Sequence, residues 1–202
     1  MRGSLIIIGF FIIGVIFARF HFMPDWVLQN DFSMYALYVL MFLVGISIGS
    51  DTKALKALKE QNMKIAFVPL ATIFGTLAGS AAVSILLSGR SVWDCLAVGS
   101  GFAYYSLSSI FITEFRGAEL GTIALAANII RELITLLMAP LLVVWFGKLA
   151  PICSGGATTM DTTLPIIARF SGKEYVVIAI FHGFVVDFTV PFLVRFFCWM
   201  AV

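Results

Sequence analysis

The sequence predicts an all-α integral membrane protein, a polytopic bundle of about six spans with a re-entrant or broken segment near 151–170. Three observations predict it. Of the 202 residues, 61% are hydrophobic and only 12% are charged, an imbalance that a soluble domain of this length does not sustain. The apolar runs approach the roughly 20 residues that a helix needs to cross a bilayer. Strict apolar–polar alternation is absent, which argues against a β-barrel. Residues 1–202 are taken as one transmembrane domain.

The spans fall at 5–19, 33–49, 65–87, 95–113, 120–147 and 175–200. Trp26, Trp93, Trp145 and Trp199 stand mostly near span ends, where amphipathic rings favour the interface. The first span follows Arg2 and resembles a signal peptide, but no small-x-small cleavage site follows it, so it is kept as a short membrane helix. After the second span, Lys53, Lys56, Lys59 and Lys64 outnumber Asp51 and Glu60, which makes this loop cytoplasmic. That assignment puts the N-terminus inside, the Trp26 and Arg90 loops outside and the Arg116 loop inside.

The fourth span carries Gly99-Ser100-Gly101 followed by Tyr104, Tyr105, Ser106, Ser108 and Ser109. Small residues and hydroxyls serve either close helix packing or a local break facing a cavity. The fifth span has Asn128, Arg131, Glu132 and Thr135 near its middle, spaced to share one helix face. A charge at mid-bilayer costs about 2.5–3.5 kcal/mol even on lenient scales, so this face points at protein or water. It is taken as the lining of a transport pathway. The run 154–165, rich in Gly and Thr and containing Asp161 and Pro165, is too polar to meet lipid. It is an exposed loop or a re-entrant turn whose free N–H groups attract carboxylates. In the last span, His182 is expected to pack, Arg195 to snorkel as an anchor, and Asp187 to need a partner.

Other chemistries find little support. Cys95, Cys153 and Cys198 lack metal-ligand spacing and are packing residues, and no metal, cofactor or catalytic constellation is expected. No basic tract suggests nucleic acid. An intramembrane enzyme would want a Ser-His dyad or a metal cluster, and a channel a repeated filter. A purely structural subunit beside an active partner is the remaining alternative.

From Ser100 onward the chain resembles the LysO-type family of bacterial lysine exporters. The matching blocks run from Ser100 to Ser108, then Thr113-Glu114, Arg131-Glu132-Leu133, Gly156 to Pro165 and His182-Gly183-Phe184. A looser likeness extends back through Phe42 to Ser47. The resemblance implies a multi-pass inner-membrane exporter of L-lysine and thialysine, with intramembrane acids tied to substrate or proton movement, and Glu132 matches one of them. Typical members carry further N-terminal helices with a second acid. The expectation is therefore a small membrane partner subunit supplying those helices, a homodimer, or Asp51 in that role.

A site for lysine needs acceptors for ammonium groups and donors for the carboxylate. Glu132 and Asn128 supply acceptors, while Gly156, Thr158 and Thr159 supply donors. Asp161 is assigned to an ammonium or a helix cap, and Arg131 to neutralising Asp187 or Asp161. Tyr105 and Ser108 complete the candidate set for substrate and proton.

Overall fold

The computed structural model describes isolated positions between 13 and 46, residues 63–87 and residues 89–201. The chain divides into two compact units, Met1–Asp51 and Thr52–Val202. In the first unit helical backbone is described at Ile13, Ile16, Phe17 and Arg19, and again at Tyr35, Val39, Phe42 and Ile46. Most of the spans expected at 5–19 and 33–49, and residues 50–62 of the loop that follows, Asp51 among them, lie outside the described residues.

Every described element of the second unit is a helix, and turns join them. Helix α1 spans Phe67–Leu86, α2 Val92–Gly99, α3 Tyr105–Arg116, α4 Ala118–Phe146, α5 Ala150–Gly155, α6 Leu164–Phe170 and α7 Val176–Met200. Among the described residues, three stretches are long and apolar enough to cross a membrane: Phe67–Leu86, Ala118–Phe146 and Lys173–Met200. Large apolar side chains such as Phe74, Leu137, Val144 and Phe188 stand exposed on them. On a membrane helix this is the lipid-facing surface.

The stretch expected as a single crossing at 95–113 is two short helices folded back on each other. Ser91 caps α2 by accepting from the Asp94 backbone N–H at 3.1 Å. The Arg116 Nε at the end of α3 then donates to Asp94 Oδ1 at 2.9 Å. As one rod, residues 94 and 116 would stand about 33 Å apart. A second ion pair, Arg90 to Glu119, joins the flanking segments at the same end. The Arg90 and Arg116 loops, assigned above to opposite sides, therefore lie together, because the helix between them turns back.

The segment 151–170 is likewise interrupted. Helix α5 gives way to a 3-10 turn over Gly156–Met160, and α6 resumes at Leu164. Its outer ends meet where Lys148 Nζ lies 3.4 Å from Glu174 Oε1 and 5.5 Å from the Tyr175 ring centroid. This exposed pair adds little stability, and its value is geometric: both ends of the segment emerge together.

The two hairpins open at opposite ends of α4, since α3 leads into its start and α5 follows its end. A helix of 29 residues is about 43 Å long, enough to separate the two openings by a membrane's thickness. Helix α7 runs antiparallel to α4, from Glu174 at the second opening to Trp93, whose ring lies 6.3 Å from Phe197, at the first. Helix α1 runs the same way as α7. Its Val68 joins the apolar cluster of Ile152, Ile167 and Ala179 near the second opening.

Candidate substrate site

Halfway along α4 the two hairpin tips touch. The Phe102 carbonyl of the first tip accepts from the Ala157 N–H of the second at 2.9 Å. The approach is this close because Gly156 has no side chain: a Cβ there would collide with the Phe102 carbonyl oxygen, and φ is +62°. The first tip is more unusual. Phe102 and Ala103 have φ of 44° and 69°, left-handed conformations that non-glycine residues hold only when their surroundings impose them. Both are fully buried.

What imposes them is the polar stripe of α4. Asn128 Oδ1 accepts from the Ala103 N–H at 2.8 Å. Its Nδ2 donates to Ala124 O at 2.9 Å and Val98 O at 3.2 Å. One acceptor and both donors of the amide are thus occupied, and the pattern itself fixes which way the amide points. Three residues on, Arg131 Nε donates to Ser154 O at 2.8 Å and its NH2 group to Cys153 O at 3.1 Å. Those are carbonyls of the last turn of α5, which have no partner within the helix. The guanidinium also lies over Phe102, 5.6 Å from the ring centroid, so one side chain braces both tips. Thr135 completes the stripe, with its hydroxyl 2.7 Å from Ser154 Oγ. Arg131 makes no ion pair with Asp187 or Asp161, which corrects the neutralising role expected for it; its charge is spent on backbone carbonyls.

Helix α7 and α1 hold the second tip from the other side. Thr159 Oγ1 lies 2.9 Å from Ala179 O and 3.1 Å from His182 Nδ1, while His182 Nε2 lies 2.8 Å from Thr72 Oγ1. His182 is fully buried in this chain of bonds. Gly183 lets the tip come close, since a Cβ there would sit 2.8 Å from Met160 N and from Thr159 Oγ1.

A cavity of about 650 Å³ lies between α1, α2 and α4. It extends from Arg90 and Asp94 near the first opening to Asn128 and Arg131 beside the tips. Its walls are mostly apolar.

The family model for the lysine exporter LysO matches residues 8–198. The chain belongs to the lysine exporter LysO family. It is 36% identical over 171 residues to "Lysine exporter LysO" of Escherichia coli (strain K12), a match covering 83% of this chain and 55% of that protein. It is 33% identical over 174 residues to "Putative lysine exporter" of Haemophilus influenzae, covering 86% of this chain and 88% of that protein. The match thus spans about half the length of the first relative and most of the second. No solved structure matches the chain.

In this LysO-family chain the candidate residues divide by what their polar groups already do. Asn128 and Arg131 are committed to backbone groups, Thr158 Oγ1 donates to Gly155 O at 2.9 Å, and Thr159 is held by the Gly156 and Ala179 carbonyls and by His182. Ser108 donates to Tyr104 O at 2.8 Å inside α3, and Tyr105 is half-buried beside it. Glu132, one residue past Arg131, is half-buried and makes no hydrogen bond or ion pair among the described residues. Asp161, at the second tip, is exposed and accepts from the Thr162 N–H. Asp187 on α7 is only 5% exposed, and no described group donates to it. Tyr104, read from the sequence only as part of the hydroxyl cluster, closes the first tip by donating its backbone N–H to Gly101 O at 2.7 Å. Sequence reasoning missed Thr72, a hydroxyl in an apolar span that carries no signal until His182 is seen against it.

Proposed function

We propose that this chain exports L-lysine, and its toxic analogue thialysine, across the bacterial cytoplasmic membrane in exchange for protons, acting as a transporter and not as an enzyme. The observation that carries the reading is Glu132. It stands on the stripe that grips both hairpin tips, and it is the member of that stripe whose side chain has no partner among the described residues. Its neighbours have spent their hydrogen bonds on architecture, so they hold the geometry while Glu132 takes the cargo.

Exchange follows from charge. Lysine leaves the cell as a monocation, and moving one positive charge outward against an inside-negative potential costs roughly 2.3 kcal/mol per 100 mV. A carboxyl group that holds either a proton or an ammonium, never both, lets one returning proton cancel that cost. An ionised carboxylate left alone at membrane depth is expensive, so the empty charged state is the one avoided.

The basic loop before α1 faces the cytoplasm. On that orientation the second hairpin opens inward, the first opens outward, and the N-terminus is cytoplasmic. The cavity between α1, α2 and α4 then leads outward from the tips. Additional helices, from a small membrane partner subunit or a second copy of this chain, belong to the same reading. Expression in a thialysine-sensitive strain, alone or with such a partner, is expected to confer resistance. Glu132→Gln is expected to remove that resistance at equal membrane abundance. Absence of protection by the wild-type chain in both settings sinks the proposal.

A further inference from the structure

Among the described residues, three charged side chains line the cavity between α1, α2 and α4: Arg90, Asp94 and Arg131. Two of them are matched. Arg90 pairs with Glu119, and Asp94 accepts from Arg116 at 2.9 Å. Arg131 stands near the middle of a 29-residue apolar helix and has no carboxylate against it among the described residues. Its five N–H donors form a rigid fork. The two engaged by the second tip, at Nε and Nη2, lie along one edge of that fork, and the Phe102 ring covers one face. The end of the fork, Nη1 with the outer N–H of Nη2, makes no bond among the described residues. Nor is it sealed in. The buried side-chain polar atom without a partner among those residues is Ser171 Oγ, and Arg131 is part of the cavity wall. Carbonyls and ring hold the guanidinium in place but bring no negative charge, and a charge kept out of water without an opposite charge is costly.

We propose that the free end of this fork receives the carboxylate of the exported amino acid inside the cavity. Geometry selects the ligand. Two parallel N–H donors match the two oxygens of a carboxylate, which a neutral amide, with one oxygen and an NH2 group, does not reproduce. Charge selects it as well, since an anion supplies what the site lacks. The space suits a small amphiphile. Its 650 Å³ falls within the roughly 300–1,000 Å³ of small-molecule sites, and Val83, Val98 and Ile123 offer apolar wall to a methylene chain. Such walls favour a carboxylate with a carbon chain behind it over a bare hydrated anion. The inference rests on the exporter reading for the owner of the carboxylate, and the anion site itself stands without it. Arg131 would then distinguish an amino acid from a simple amine. Because the same guanidinium holds Cys153 and Ser154, a carboxylate on its free end is joined to the second tip through one rigid group.

The test is binding to the purified full chain in detergent, by calorimetry at constant ionic strength, with three probes: L-lysine, L-lysinamide and sodium acetate. Lysine is expected to bind at least tenfold more tightly than lysinamide, which keeps both amino groups and loses the carboxylate. Equal affinity for the two, or no binding of lysine, overturns the proposal. Acetate is expected to bind at least tenfold more weakly than lysine, and acetate bound as tightly as lysine overturns the amino acid as owner of the carboxylate. Arg131→Lys keeps the charge and loses the fork. It is expected to lower lysine affinity at least tenfold and leave lysinamide affinity unchanged. A structural role alone would lower both together, so parallel losses, or no loss, overturn the assignment. Should Arg131→Lys not fold, Gly79→Leu decides, because a Cβ at Gly79 meets open space and a larger side chain there fills the cavity from α1. Loss of the preference for lysine over lysinamide in Gly79→Leu supports the site, and an unchanged preference overturns it. A preference that Arg131→Lys removes, in a chain that moves no lysine in proteoliposomes, keeps this site and removes the exporter reading. Lysine transport by a wild-type chain that binds lysinamide equally well does the reverse.

Discussion

Asn128 and Arg131 carry a burden that their positions on a helix face do not disclose. Asn128 satisfies the Ala103 N–H and the Val98 carbonyl, and Arg131 the carbonyls of Cys153 and Ser154. A buried polar group left unpaired costs about 1–3 kcal/mol. Asn128→Leu strands at least two such groups, so it is expected to lower the unfolding midpoint in detergent by several degrees; an unchanged midpoint contradicts the bracing role. Arg131→Met is expected to cost more than Arg131→Lys, because an ammonium still reaches one carbonyl while a thioether reaches none. Equal losses in the two variants would show that charge and hydrogen bonding at Arg131 are irrelevant to the fold. The spacing of Asn128, Arg131, Glu132 and Thr135 made their shared face legible in the sequence. Their division of labour was not, since periodicity gives a direction and not a partner.

At the scale of elements, the two hairpins depend on glycines placed where backbones meet. A Cβ on Gly156 would collide with the Phe102 carbonyl at a φ that side chains avoid, and one on Gly183 would press on the second tip. Gly156→Ala and Gly183→Ala are therefore expected to reduce thialysine resistance severely, with about 1–3 kcal/mol of backbone strain at Gly156 alone. Gly89→Ala, where a Cβ meets open space, is expected to be neutral. Loss of resistance in Gly89→Ala equal to that in Gly156→Ala would remove the steric argument. The Thr- and Gly-rich run at 154–165 was visible as a segment unfit for lipid, and its interruption follows from that composition. The first break was visible only as a cluster of small residues. The residues that bend there are Phe102 and Ala103, which have no intrinsic preference for it, and the conformation comes from Asn128 and Ala157 reaching in from elsewhere. A long-range cause of that kind leaves no local mark.

For the whole molecule, connectivity sets which ends share a side. The ion pairs Arg90–Glu119 and Arg116–Asp94 gather one set of loops, and Lys148–Glu174 gathers the other. Single cysteines placed at Gly89 and Glu119 in a cysteine-free background are expected to react with an impermeant thiol reagent from the same face of the membrane, and cysteines at Lys148 and Glu174 from the opposite face. Labelling of Gly89→Cys and Glu119→Cys from different faces would restore the single crossing suggested by hydropathy. An apolar stretch of the right length was enough to suggest that crossing, and only the distance between its ends reveals the hairpin. Family membership, all-α class and the polar middle of α4 were all readable before any coordinates, because they depend on composition and local motif. The meeting of two tips from opposite sides was not. The most direct measurement is radiolabelled lysine flux in proteoliposomes under an imposed pH gradient, for the wild type and Glu132→Gln at matched protein levels. The account predicts proton-driven lysine movement in the wild type and at least a tenfold loss of it in Glu132→Gln; equal proton-driven flux in both would contradict it.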